Sequence, residues 1–184
     1  MIVRDFIARI RGQLFIIKCR IWRRNIHIDD GLRIYKKLKI SGKGRVFIGR
    51  NCLVDGIKGD DSQFVCIDTQ NENAVINIGR NAHLYAARIS ARFNISIGVY
   101  VLIEEAGIID TDFHSIDRNR ELPADENEKN CRVKIGNRVC IGARSVITKG
   151  ATIEDDVIVA PGAIVTKTVK SGQIIIGNPA KTLD

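Results

Sequence analysis

One stretch of the sequence gathers the side chains best suited to acid–base chemistry. His114 lies in the segment DTDFHSIDRNRELPADENEKNCR, two residues after Asp112 and four after Asp110. An imidazole has a reference pKa of about 6.5 and can exchange a proton near neutral pH, and a carboxylate on its second nitrogen would orient it. On a strand Asp112 and His114 would point the same way, although a carboxylate in such a segment is more often a loop residue in contact with solvent. Without further context, a histidine in such a segment is more often an exposed loop residue.

A regular repeat flanks this segment and must position it. Downstream, an aliphatic residue occupies every sixth position in the series Ile135, Ile141, Ile147, Ile153, Val159 and Val165. Upstream, the same step links Ile97, Ile103 and Ile109, and also Ile34, Ile40 and Val46. A helix would give a period of 3.6 residues and an ordinary strand a period of two, so a period of six predicts a solenoid.

Each six-residue unit predicts one short strand and a bend, and three units would close a coil of 18 residues. The aliphatic residue would point into a triangular prism and stack on its counterpart in the next coil, as in parallel sheets rich in Ile and Val. After Ile109 the period stops, and it resumes near Val133. We therefore expect residues from about 110 to 132 to leave the prism as a polar loop, a kind of loop that is usually functional.

The first 28 residues predict a separate amphipathic helix, followed by the β-helix domain over residues 29–184. We call its apolar positions the apolar stripe: Val3, Phe6, Ile7, Ile10, Leu14, Ile17 and Ile21. They recur at three- and four-residue steps, although Gly12 is expected to interrupt the helix. The apolar stripe could cover the open end of the prism, or residues 1–24, with seven basic residues, could make a weak peripheral contact with an anionic membrane. We favour the cap.

Composition narrows the class of protein further. The 184 residues include 29 basic and 21 acidic side chains, a net charge of +8, which favours anionic partners. Nucleic acid is disfavoured because aromatic residues make up only 5% and no binding motif is present. The five cysteines form no CxxC motif and no disulfide framework, which favours a cytoplasmic location. Since no apolar run reaches about 20 residues, any membrane contact is expected to be peripheral, at the inner face.

Three segments resemble the left-handed parallel β-helix, hexapeptide-repeat acyltransferases. They are ISIGVYVLIEEAGIIDTDFH, KIGNRVCIGARSVITKGATI, and VIVAPGAIVTKTV followed by GNPAK, within residues 75–181. The resemblance extends to maltose and galactoside O-acetyltransferases and to the polysaccharide acetyltransferases of capsule and lipopolysaccharide clusters. It implies an all-β fold, a homotrimer with sites between subunits, acetyl-CoA as co-substrate and no metal. The implied reaction is O-acetylation of a sugar or glycan precursor in surface polysaccharide biosynthesis.

The resemblance also assigns roles to individual residues. His114 matches the catalytic histidine that takes the proton of the acceptor hydroxyl, and Asp112 is the candidate that orients it. Tyr85 stands where the family has an acceptor-site asparagine, and Arg92 would stack beneath Asp110, either as an acceptor contact or only as its ion-pair partner. The implied cofactor-binding residues comprise two coil corners and three residues near the nucleotide: Ala143, Pro161, Thr166, Lys167 and Lys181. Lysines suit phosphates as compact charges, although the family often has arginine at the position of Lys181.

Other activities are compatible with the same fold. An N-acetyltransferase of an amino sugar or nucleotide sugar, or an antibiotic acetyltransferase, would use the same donor. A γ-type carbonic anhydrase would need three histidines around zinc, and the repeats contain only His83 and His114. A non-enzymatic scaffold with a decayed site is disfavoured because His114 and the IVTK motif are present.

Overall fold

The repeats fold into a coil of short strands that begins directly after one long helix. The computed structural model describes residues 2–112 and 127–183. The elements in chain order are α1 (Ile2–Trp22), β1 (Ile26–Ile28), β2 (Arg33–Ile34), β3 (Leu38–Gly42), β4 (Arg45–Ile48), β5 (Leu53–Asp55), β6 (Val65–Thr69), β7 (Val75–Ile78), β8 (His83–Tyr85), β9 (Arg88–Ala91), β10 (Asn94–Ile97), β11 (Leu102–Glu104), β12 (Gly107–Ile109), α2 (Glu128–Cys131), β13 (Val133–Ile135), β14 (Cys140–Ile141), β15 (Val146–Ile147), β16 (Thr152–Ile153), β17 (Ile158–Val159), β18 (Ile164–Val165), β19 (Ile174–Ile176) and β20 (Lys181–Thr182).

The strands form the three faces of a prism. Sheet 1 has the order β1-β4-β7-β10-β13-β16, sheet 2 the order β2-β5-β8-β11-β14-β17-β19-β20, and sheet 3 the order β3-β6-β9-β12-β15-β18. Neighbouring strands are parallel throughout, except that β20 runs antiparallel to β19. The chain visits sheets 1, 2 and 3 in turn, so each circuit adds one strand to each face. The predicted left-handed parallel β-helix is therefore confirmed as the fold class.

The aliphatic positions of the repeat form the core. Ile135, Ile141 and Ile147 are fully or almost fully buried, and each pairs with the residue 18 positions later. The positions four residues further on, such as Ser145 and Ala151, are also buried. Stacked Ile and Val columns therefore fill the prism, as the six-residue period predicts.

The period fails at one predicted core position. Ile109 is only partly buried, and its neighbour Ile108 points inward instead, paired with Ile89 and Ile147. The cause is a tighter corner, because the core positions Ile103 and Ile108 are only five residues apart. This corner contains Glu105 at a positive φ of 43°.

Helix α1 covers the first coil, but with the face opposite to the one predicted. It is continuous through Gly12, and the residues buried against β1 and β2 are Ala8, Ile16 and Cys19. At Gly12 the helix lies so close to the strand segment that an added Cβ would be 1.8 Å from the carbonyl oxygen of Leu32. The apolar stripe is exposed to solvent, from 42% at Ile7 to 71% at Val3. The expectation that this stripe covers the prism is wrong, because only the face that contains Ala8 and Gly12 allows the helix to approach the first coil so closely.

Gly12→Ala should destabilise the protein although alanine favours helices. The propensity gain of about 1 kcal/mol is smaller than the cost of moving α1 off the Leu32 carbonyl, which we expect to be about 3 kcal/mol. A thermal melt should show a Tm lower by about 5 °C. The control is Gly107→Ala, because a Cβ at Gly107 would meet no atom within 4 Å. An unchanged Tm for Gly12→Ala would contradict the packing of α1.

Candidate functional site

Two edges of the prism carry the residues singled out from the sequence. The 3–1 edge, where the chain passes from sheet 3 to sheet 1, contains Arg92 after β9 and Asp110 and Asp112 after β12. The same edge contains Thr166 and Lys167 after β18. The 2–3 edge, between sheets 2 and 3, contains Tyr85 at the end of β8, Ala143 after β14 and Pro161 after β17. Sheet 3 lies between the two edges.

Asp110 fixes the start of the predicted loop. Its carboxylate is fully buried and accepts hydrogen bonds from the backbone N–H groups of Arg92, Phe93 and Asn94, at 2.6 to 2.9 Å. A buried carboxylate is stable only when such donors satisfy it. The guanidinium of Arg92 lies over the ring of Phe93, 5.8 Å from its centroid. Asp110 therefore contacts Arg92 through the backbone N–H of Arg92. That Arg92 binds the acceptor stays a prediction.

Asp112 contacts a lysine that the sequence analysis did not select. The carboxylate of Asp112 accepts a hydrogen bond from the ammonium of Lys149, in the turn after β15. Both side chains are largely shielded, with 25% and 30% of their surface exposed, so the pair is better protected than an ordinary surface ion pair. This contact holds residue 112, two positions before His114, against the next coil.

The residues that follow the segment 113–126 are held at the same turn. The N–H of Gly150 donates to the carbonyl oxygen of Cys131, at the end of α2. Helix α2 is capped by Asn127, whose side chain accepts from the N–H of Asn130. Gly150 has a φ of 75°, and a Cβ there would be 2.7 Å from the carbonyl oxygen of Asn130. The turn at residues 149–150 therefore anchors both ends of the segment that contains His114.

His114 itself lies outside the described residues, and so does the rest of the segment from 113 to 126. Of the other histidines, His27 stacks on Phe47 with ring centroids 5.0 Å apart. His83 lies on β8, paired with Leu53 and Leu102. In residues 2–112 and 127–183, no group of three or more His, Cys, Asp or Glu side chains is arranged to hold a metal ion.

The cofactor-binding candidates follow both edges of the last coils. Ala143 and Pro161 occupy equivalent corners 18 residues apart, and the carbonyl oxygen of Ala143 accepts from the N–H of Gly162. Thr166 and Lys167 are exposed at the 3–1 edge, directly beyond the position of Lys149 one coil earlier. Lys181 is exposed on β20, paired with Ile176. Within the described chain neither Lys167 nor Lys181 has a carboxylate partner, so their charges are available to an anion.

Three fully or partly buried thiols are poor nucleophiles. Burial raises the pKa of Cys52 to about 11, and it also raises the pKa of Cys19 and Cys140. Since the thiolate is the reactive form, these three side chains stay protonated at neutral pH. Covalent catalysis through them is disfavoured.

Comparison with known proteins identifies the repeats. Residues 132–167, from the residue after α2 to the turn after β18, match the family described as bacterial transferase hexapeptide (six repeats). Over 109 residues the chain is 30% identical to the galactoside O-acetyltransferase of Escherichia coli (strain K12), an alignment that covers 59% of this chain and 53% of that protein. The chain thus spans about half the length of this curated relative.

Two crystal structures have a similar fold. The polysialic acid O-acetyltransferase OatWY aligns with a TM-score of 0.59 and 22% identity, over 86% of this chain and 83% of its own. A variant of the perosamine N-acetyltransferase of Caulobacter crescentus, in complex with CoA and GDP-perosamine, aligns with a TM-score of 0.54 and 18% identity, over 98% of this chain and 66% of its own. The six-residue repeats and the three-sided β-helix agree with these matches: residues 132–167 match the hexapeptide-repeat transferase family, and the fold is that of the two solved structures.

Proposed function

We propose that the protein is an acetyl-CoA-dependent O-acetyltransferase that acts on a hydroxyl group of a sugar or glycan precursor, in surface polysaccharide biosynthesis. The observation that carries this proposal is the similarity to a galactoside O-acetyltransferase, at 30% identity over 109 residues. We place the reaction in the cytoplasm, where cysteines remain reduced thiols.

In this proposal His114 is the general base. Its imidazole takes the proton of the acceptor hydroxyl, and the oxygen then attacks the thioester carbonyl carbon. A backbone N–H at a coil corner stabilises the negative charge that develops on the carbonyl oxygen. The C–S bond breaks, an ester forms, and the proton passes from His114 to the CoA sulfur. Asp110 and the Asp112–Lys149 pair hold the start of the loop in place during this transfer.

The edges of the last coils fit the donor. Ala143 and Pro161 are small residues at a corner where a narrow thioester arm can approach the backbone, and Gly162 beside them has no neighbour within 4 Å of an added Cβ. In the proposed complex Thr166 lies near the nucleotide end of CoA, and Lys167 and Lys181 bind the phosphates of that nucleotide by charge. Tyr85 and Arg92 are assigned to the acceptor.

We further propose that the active unit is a homotrimer. In one chain the corners assigned to the thioester and the start of the His114 loop lie on different edges, separated by sheet 3. A neighbouring copy can place its 2–3 edge against the 3–1 edge of the first, and threefold symmetry repeats this heterologous contact until the ring closes. Light scattering at micromolar concentration should give three times the mass of the chain, and a monomer would contradict a shared site.

An acceptor screen tests the activity itself. The full chain is incubated with acetyl-CoA and a panel of sugars, oligosaccharides, amino sugars and chloramphenicol, and the released CoA thiol is measured. We expect release with hydroxyl acceptors and a product ester that mild base hydrolyses. A base-stable product formed only with amino sugars would replace the proposal by N-acetyl transfer, and release only with chloramphenicol would replace it by antibiotic acetylation. No release with any acceptor would contradict it.

A further inference from the structure

The apolar stripe of α1 is the largest exposed apolar feature in the described part of the chain. Phe6 and Leu14 are each 62% exposed, and Ile21 is 60% exposed. Contiguous exposed apolar surface of this kind marks an interaction site. The helix is nevertheless not a membrane span, since none of the described helices is both long and apolar enough to cross a bilayer.

The helix cannot rotate to bury the stripe. At 100° per residue the centre of the stripe lies about 180° from the face formed by Ala8, Gly12 and Ile16, which packs on the first coil. Two polar contacts fix the same orientation. The hydroxyl group of Tyr35 donates to Asp5 at 2.5 Å, and Arg4 bonds to Asp55 at 2.8 Å. The stripe therefore points directly away from the β-helix.

Basic side chains border the stripe on both sides. The helical angles place Arg9 and Arg20 along one border and Arg11 and Lys18 along the other. The only acidic residue of α1 is Asp5, which lies on the inner side in contact with Tyr35 and Arg9. An apolar strip between two basic borders complements the surface of an anionic bilayer, whose acyl chains accept the strip while its phosphates face the cations. A second copy of the stripe would instead bring like charges together.

We propose that α1 lies on an anionic lipid bilayer, with the apolar stripe inserted among the head groups and the β-helix held above it by the opposite face of the helix. The proposal does not depend on acetyl transfer, and its test has no activity readout.

Sedimentation of the full chain with vesicles tests the proposal. We expect the protein to pellet with vesicles rich in phosphatidylglycerol, to remain largely in the supernatant with pure phosphatidylcholine, and to be released from the anionic vesicles by high salt. Failure to pellet with the anionic vesicles would overturn the proposal.

Serine substitutions locate the contact. The triple variant Phe6→Ser, Leu14→Ser, Ile21→Ser should bind anionic vesicles at least about tenfold more weakly. The matched control is Leu183→Ser, a residue that is 52% exposed just beyond β20, at the opposite end of the β-helix, and that should bind as the wild type does. Unchanged binding of the triple variant would overturn the proposal. A second outcome would also overturn the proposal. If the wild type does not bind vesicles and the triple variant has a lower oligomeric mass than the wild type, the stripe is an interface between copies.

A charge variant keeps the test decisive if the triple variant does not fold, as judged by circular dichroism. Lys18→Gln with Arg20→Gln leaves the apolar stripe intact and removes one cation from each border. We expect severalfold weaker binding and a smaller dependence on salt. Binding and salt dependence equal to those of the wild type would overturn the electrostatic part of the proposal and with it the choice of an anionic surface.

Discussion

Replacing His114 by alanine should lower kcat by about 10²–10⁴-fold, the usual contribution of a general base. The affinity for CoA, measured by calorimetry, should stay close to that of the wild type. The physical reason is that the proposed donor site is formed by corners of the last coils, whereas His114 belongs to the loop before them. Loss of turnover without loss of binding is the signature of an interaction made in the transition state.

The control is another histidine of the same chain. His27→Ala removes an imidazole that stacks on Phe47 in the first two coils, far along the prism from the loop. It should leave kcat nearly unchanged. If His114→Ala retained wild-type turnover, the assignment of the base would be wrong, and if His27→Ala lost as much activity as His114→Ala, the effect would be one of stability.

Breaking the Asp112–Lys149 pair should lower kcat by about 10²-fold, because a small displacement of the reacting groups has an effect of that size. Lys149 acts here as a positioning residue: it holds Asp112, and through it the start of the segment that carries His114. Lys149→Met and Asp112→Asn should each lower kcat while the KM for acetyl-CoA stays constant. Since the two residues form one contact, the double variant should lose little more than Asp112→Asn alone.

Three comparisons make this prediction specific. Lys43→Met removes an exposed ion pair with Glu72 elsewhere on the surface and should have no effect on kcat. A larger loss for Asp112→Asn than for Lys149→Met would show that Asp112 also orients the imidazole, as the sequence predicts. Full activity of Lys149→Met would contradict a positioning role for the turn at residues 149–150.

The sequence alone was sufficient to predict the fold class. A six-residue period in Ile and Val is a strong signal for this fold. Each core position must stack on its counterpart in the next coil, so every coil requires an aliphatic residue at the same position. The period also stops after Ile109 in the sequence, where polar residues such as Asp117 and Arg118 are unsuited to core positions, and the loop predicted from this interruption stays a prediction. The exception is Ile109 itself, where one shorter corner shifts the inward position to Ile108.

Contacts between coils and between the helix and the prism were decided only by the tertiary structure. Lys149 is an ordinary lysine in the sequence, and it becomes important because coil stacking brings it next to Asp112, 37 positions away. The turn TKG that contains it was a possible signal, since a glycine beside a lysine at a corner permits the loop to pack closely. The face of α1 that packs on the β-helix could not be predicted from the hydrophobic pattern. The periodicity identifies the most apolar face of the helix, but not the face that packs most closely against the first coil. Ala8 and Gly12 allow the helix backbone to approach Leu32, and this close packing, rather than the larger apolar area, determines which side of the helix meets the protein.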